Sequence, residues 1–175
     1  MTRRFATFVL ASLLAVPCFA ALKPGTQAPL FKAPAYLAGK PFTFDLAASL
    51  KKGPVVLYFF PAAFTPGCTA EAHEFAEATD DFRAAGATVI GMSADPIDKL
   101  ARFSTEECRD KFAVASAGPV IVKGYDVALP VPGGMTNRTS YVIAPTGRIV
   151  FVHSAMSYKD HVKSTLAAVR SMKGQ

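Results

Sequence analysis

The chain reads as an α/β domain, a central mixed β-sheet with helices on both of its faces. Three observations predict it. Pro54 to Phe60 (PVVLYFF) is a continuous apolar run of β-branched and aromatic residues, the pattern of a central strand covered on both sides. Ala87 to Met92 (ATVIGM) is a second buried strand, reached after a stretch with helical spacing. Thr139 to Ala144 and Ile149 to His153 flank the turn Pro145-Thr146-Gly147 and predict a strand-turn-strand hairpin.

The remaining elements follow in order. Residues 21–41 carry Pro24, Gly25, Pro29, Pro34, Gly39 and Pro41 and read as an extended leader with turns. Phe42 to Leu46 alternates apolar and polar, as a half-buried strand does. Between the two buried strands, Cys68 to Ala84 sets Phe75, Ala78, Thr79 and Phe82 at helical spacing, and Gly86 ends that helix. Asp95-Pro96 opens another helix, with Asp95 as its cap, running to about Phe112. Gly118 to Pro132 reads as irregular, and Gly133-Gly134 as a flexible joint. Ser157 with Asp160 three residues later resembles a capping arrangement for a last helix, Tyr158 to Met172. Many α/β domains share this element order.

At 175 residues the chain suits one domain, and 51% hydrophobic against 18% charged residues predicts a packed globule. Part of the apolar excess is terminal. Arg3 and Arg4, the apolar run Phe5 to Val16 and the small residue Ala20 form the three parts of a secretory signal. Cleavage is expected after Ala20, leaving residues 21–175 as the domain in the periplasm or outside the cell, without stable membrane insertion. An uncleaved anchor is the alternative, but Pro17 interrupts a stretch barely long enough to span a bilayer. Losing both arginines lowers the formal charge of +6 by two. The remaining Lys and Arg are scattered, with no basic stripe interleaved with aromatics, so no nucleic-acid partner is expected.

Cys18 would leave with the signal, so Cys68 and Cys108 remain, either as a structural disulfide or as a redox couple. Cys68 stands in a turn after a buried strand, in the first turn of a helix. Unpaired backbone N–H groups and the positive end of the helix dipole favour a thiolate there. Two prolines and a glycine within Pro61 to Cys68 indicate a shaped loop rather than casual packing of a small buried cysteine.

Pro61-x-x-x-Thr65-x-x-Cys68, with Thr65-Pro66-Gly67-Cys68-Thr69 and Glu71, resembles the signature of the peroxiredoxins of the AhpC/TSA superfamily, in the bacterioferritin-comigratory (PrxQ-like) branch. The likeness extends over residues 24–172, through Ala28-Pro29, Gly39-Lys40, Gly91-Met92-Ser93-Ala94-Asp95 and Asn137 to Ile143. It implies a thioredoxin-like fold and a thiol-dependent peroxidase acting on hydrogen peroxide and organic hydroperoxides. By the resemblance, Cys68 is the peroxidatic nucleophile and Thr65 hydrogen-bonds the peroxide. Pro61 shields the sulfur, and Arg138 holds the thiolate and stabilises charge as the O–O bond breaks. Glu71 would orient other groups or favour the helix start. Alternatives from the residues alone are a cap for Thr65 and a surface cation for Arg138.

The oxidised sulfur needs a thiol partner. Many relatives in this branch carry it five residues after the nucleophile, where this chain has His73. Glu107-Cys108-Arg109-Asp110-Lys111-Phe112 looks like the other arrangement, in the following helix, and implies that Cys108 resolves the sulfenic acid to an intramolecular disulfide. A cysteine packed inward on its helix is the alternative. A thioredoxin-like dithiol donor would then re-reduce the disulfide. The branch is often monomeric, which favours a monomer and leaves the oligomeric state open. No cofactor is expected, and His73, His153 and His161 match no metal-ligand spacing. Two rivals share the fold class. A thiol–disulfide oxidoreductase would need Cys-x-x-Cys, but Thr65 occupies its first position. A copper carrier would need a second thiol near Cys68.

Overall fold

The computed structural model describes residues 21–172, so the proposed signal at residues 1–20 lies outside the described residues. Seven strands make one mixed sheet in the order β2-β1-β5-β4-β3-β6-β7. An interior strand, β3 (Val55–Phe59), has every residue buried. It runs parallel to β4 (Thr88–Ser93) and antiparallel to β6 (Thr139–Ile143), and β7 (Ile149–Ser154) closes the expected hairpin. The central mixed sheet and its covered strand are as the apolar runs predict.

Side-chain alternation along β3 divides the core in two. Val56, Tyr58 and Phe60 enter one apolar cluster with α2 (Pro66–Ala84), α3 (Ile97–Glu106) and α5 (His161–Met172). Val55, Leu57 and Phe59 enter the other, with α1 (Leu46–Leu50) and α4 (Pro119–Gly124). Helices therefore cover both faces.

Several elements depart from the sequence reading. The leader contains a strand, β1 (Lys32–Leu37), paired along its length with β2 (Lys40–Asp45). Ala38 and Gly39 both have positive φ, 51° and 69°, which is the two-residue turn that keeps a hairpin twisted. The helix expected to reach Phe112 stops at Glu106. Arg109 and Asp110 adopt left-handed φ values, and β5 (Ala113–Ser116) then inserts between β1 and β4. Proline opens α4 inside the segment read as irregular. The last helix begins at His161 rather than Tyr158 because Asp160 has φ 70°. Ser157 Oγ accepts only from Lys159 N, at 3.4 Å.

Asp95 is not a helix cap; Pro96 occupies that position. The Asp95 carboxylate accepts from Ala63 N (2.7 Å), Ser93 Oγ (2.7 Å) and Lys99 Nζ (2.7 Å), tying the end of β4 to the loop that precedes Cys68. Burial opposes its charge, but Lys99 and the two hydrogen bonds outweigh it and hold the carboxyl below its ordinary 3.8. A lowered folded value means stability that is present above 3.8 and lost as pH falls through the folded value. Asp95→Ala should destabilise the fold by about 1–3 kcal/mol in urea titrations at pH 7, since it strands the Ala63 N–H. The gap between variant and wild type should shrink below pH 3.8.

Candidate active site

After β3 the chain makes a short loop whose backbone is fixed at both ends. Phe60 N donates to Met92 O at 3.0 Å, and Thr136 Oγ1 donates to Phe60 O at 2.7 Å. Pro61 opens the loop half-buried. Phe64 has φ 66°, a left-handed turn that brings Thr65 to the N-cap position of α2. The Thr65 hydroxyl donates back to Ala62 O at 2.9 Å and makes no side-chain cap, so it does not act through capping. Pro66 and Gly67 fill the first two helical positions, where proline loses no bond. Cys68 is therefore the third residue of the helix, among the first N–H groups with no intrahelical acceptor.

The Cys68 side chain is 1% exposed. Arg138, just ahead of β6, reaches it across the sheet end, donating from Nη2 to Cys68 Sγ at 3.4 Å. The same guanidinium donates from Nη1 to Glu71 Oε2 and from Nε to Met156 O at 2.9 Å. A Cβ on Gly67 would stand 3.3 Å from Arg138 Nη2, so glycine leaves the guanidinium room against the sulfur. Arg138 is buried, which removes the surface-cation reading. Burial alone would lower its pKa, and the charges of Glu71 and Cys68 more than reverse that. Glu71, fully buried, is pushed up to about 8 by burial, with Arg138 pulling it back.

The structure also gathers a residue that sequence reasoning passed over. His161 Nδ1 lies 3.7 Å from Glu71 Oε1 and 2.8 Å from Ser140 Oγ, and its Nε2 lies 3.0 Å from Ala155 O. A carbonyl only accepts, so Nε2 carries the hydrogen and Nδ1 takes the one from Ser140. Burial lowers the pKa of His161 to about 4 and keeps the ring neutral. The sequence signal was its place on the buried stripe of α5, with Val162, Thr165, Leu166 and Val169.

Cys108 lies just beyond the end of α3, fully buried in the same apolar cluster as Cys68, and both thiols are free. Burial pushes the Cys108 thiol up, and Glu107 and Asp110 add to it. Of the sequence candidates, Cys68 and Arg138 meet directly, while Thr65 and Pro61 belong to the loop before them. His73, at the position where the resembled branch often has a cysteine, lies 2.7 Å from Glu107 Oε2 through its Nε2.

Residues 24–152 match the profile of the AhpC/TSA family. The chain belongs to that family. It is similar to the peroxidoxin BcpB of Mycobacterium tuberculosis, whose crystal structure superposes with TM-score 0.76 at 33% identity, covering 86% of this chain and 98% of that one. A cysteine-to-serine mutant of PrxQ from Xylella fastidiosa superposes with TM-score 0.75 at 25% identity, covering 88% and 99%. The chloroplastic peroxiredoxin Q of Sedum lineare is 29% identical over 136 residues, 77% of this chain and 72% of that one. The chain is thus a peroxiredoxin of thioredoxin-like fold, a thiol-dependent peroxidase. The family implies a hydroperoxide substrate and a thioredoxin-type reductant, and neither rival is favoured.

Arg138→Ala in this peroxiredoxin removes a charge-assisted contact of about 1.5–3 kcal/mol, so alkylation of Cys68 by iodoacetamide at pH 7 should slow roughly ten- to a hundredfold. Arg138→Lys should fall between the two, since a point charge cannot serve Glu71 and the sulfur from one planar fork.

Proposed function

We propose that Cys68 carries the peroxidase chemistry. Its thiolate attacks one peroxide oxygen, the O–O bond breaks, and the sulfur leaves as sulfenic acid while the alcohol or water oxygen takes a proton. Arg138 stabilises the charge that moves from sulfur to the leaving oxygen, a task for a fixed donor in a site that excludes water. Thr65, whose exposed hydroxyl stands at the helix start, hydrogen-bonds the incoming peroxide, and Pro61 shields the sulfur. The observation that carries this reading is the guanidinium Nη2 at 3.4 Å from a buried sulfur on the first turn of a helix.

In the second step Cys108 condenses with the sulfenic acid, giving the Cys68–Cys108 disulfide and water, and a thioredoxin-like dithiol returns both thiols. What supports Cys108 is that it shares an apolar cluster with Cys68 and is, with it, one of two free cysteines among the described residues. The export reading rests on residues 1–20 alone, and puts the enzyme in the periplasm or outside the cell.

Cys68→Ser should abolish peroxide turnover without unfolding the protein, because serine is a poor nucleophile at neutral pH. One equivalent of peroxide should remove two hydrogens from the wild type by intact mass. Cys108→Ser should instead stop at a sulfenic acid that dimedone traps. Turnover near wild type in Cys68→Ser would overturn the assignment. Exported protein should begin at Ala21, and a mass that retains residues 1–20 would count against cleavage there.

A further inference from the structure

Tyr58 is the fourth residue of β3 and is fully buried on the face that carries α2 and α3. Its ring stacks on Phe75 at 4.2 Å and meets Phe112 edge-on at 5.9 Å. The phenol end reaches across to β4, where a Cβ at Gly91 would stand 2.9 Å from its oxygen, so the glycine is what gives the hydroxyl its place. There the hydroxyl has no hydrogen-bond partner. A phenylalanine would fill the same space without the roughly 1–3 kcal/mol that an unpaired buried hydroxyl costs.

The surroundings indicate what such a group is for. Cys68 and Cys108 lie in the same cluster as Tyr58. Burial, first of all, keeps the phenol protonated, so it is a donor, and an anion on Cys108, Glu71 or Cys68 would hold its proton more firmly still. Cys68 has Arg138 as its donor. No hydrogen bond reaches the Cys108 sulfur among the described residues, and its charged neighbours on its own segment, Glu107 and Asp110, both oppose a thiolate.

We propose that the Tyr58 hydroxyl is the hydrogen-bond donor for the resolving step, meeting the Cys108 sulfur as it becomes a thiolate and attacks the Cys68 sulfenic acid. This rests on the reading of Cys108 as the resolving cysteine. In that step the Cys108 proton and the sulfenic hydroxyl leave together as water, the new bond joins the two sulfurs, and the phenol keeps its own proton. The donor offsets part of the penalty that burial, Glu107 and Asp110 place on the thiolate, while Arg138, bonded to Cys68 and Glu71, acts on the first step instead.

The test is Tyr58→Phe, followed by rapid-quench intact mass with dimedone after one equivalent of peroxide. Sulfenic acid should form on Cys68 at the wild-type rate, while conversion to the disulfide should slow about tenfold, as expected for a lost bond to a charged group. The pH at which that second phase is half-maximal should rise, and the reduced variant should be at least as stable to urea as the wild type. An unchanged second phase and pH profile, in a wild type that does form the Cys68–Cys108 disulfide, would overturn the role of Tyr58. Equal slowing of both phases with lower stability would also overturn it, marking a packing role. A wild type that forms no such disulfide would overturn the reading of Cys108 itself, and this proposal with it.

Discussion

The buried guanidinium of Arg138 is the group on which the arrangement of the site depends. It is held from three sides, by the Met156 carbonyl beyond β7, by Glu71 one turn along α2, and by the Cys68 sulfur. A buried charge without partners is expensive, and removing one member of a buried pair leaves the other stranded at a cost of about 3–5 kcal/mol. Glu71 thus does for Arg138 what Arg138 does for the sulfur. Its upward shift to about 8 records how far burial works against a carboxylate even beside a guanidinium. His161 adds a neutral wall behind Glu71, so the guanidinium faces the sulfur with no competing cation from α5.

Position matters as much as charge, and backbone contacts supply it. The segment 136–138 is pinned by Thr136 to Phe60 O and by Asn137 N to Val127 O at 2.7 Å. The loop on the other side is pinned by Ala63 N to Asp95. Arg138 and Cys68 therefore approach from two strands, β6 and β3, that are themselves neighbours in the sheet. The sheet sets the spacing, and the glycine at 67 permits the final approach. Preorganisation of this kind lets donors act without rearranging during reaction.

Much of this was legible in the sequence where the determinants are local. The apolar run of β3, the periodicity of α2 and the turn of the last hairpin each lie within one segment, and each appears in the structure. The site loop was legible through Pro61, Thr65 and Cys68 because proline and helix-start chemistry are local too. What escaped depends on distant partners. β1 contains Pro34 and only two aromatic or branched apolar residues, Tyr36 and Leu37, and is a strand because β2 and β5 flank it. β5 (Ala113–Ser116) received no element, lying between a helix pattern read to about Phe112, which the left-handed Arg109 and Asp110 break, and the irregular stretch from Gly118. Asp95 looked like a cap, yet its carboxylate is taken up 32 residues away, at Ala63. His161 and Tyr58 carry no motif, and only the fold brings them beside Glu71 and the two cysteines.

The two cysteines end up in opposite environments, and this difference orders the chemistry proposed for them. Cys68 has a helix start and a guanidinium, so its sulfur faces positive potential from two sides. Cys108 has an apolar pocket and acidic neighbours, so it stays a thiol that does not compete for peroxide. The segment that holds it is tied to α2 by a His73–Glu107 hydrogen bond at 2.7 Å and by two ion pairs, Arg109–Glu77 at 3.3 Å and Lys111–Asp80 at 3.9 Å. His73 is the residue standing where the resembled branch often places its second cysteine. In this chain that position binds the segment carrying Cys108 rather than supplying the sulfur. These half-exposed pairs are individually weak, so they hold the segment in register without making it rigid. A reaction whose second thiol must be protonated at rest and nucleophilic later needs such a boundary: apolar enough to silence Cys108, yet loosely tied enough for the sulfurs to meet.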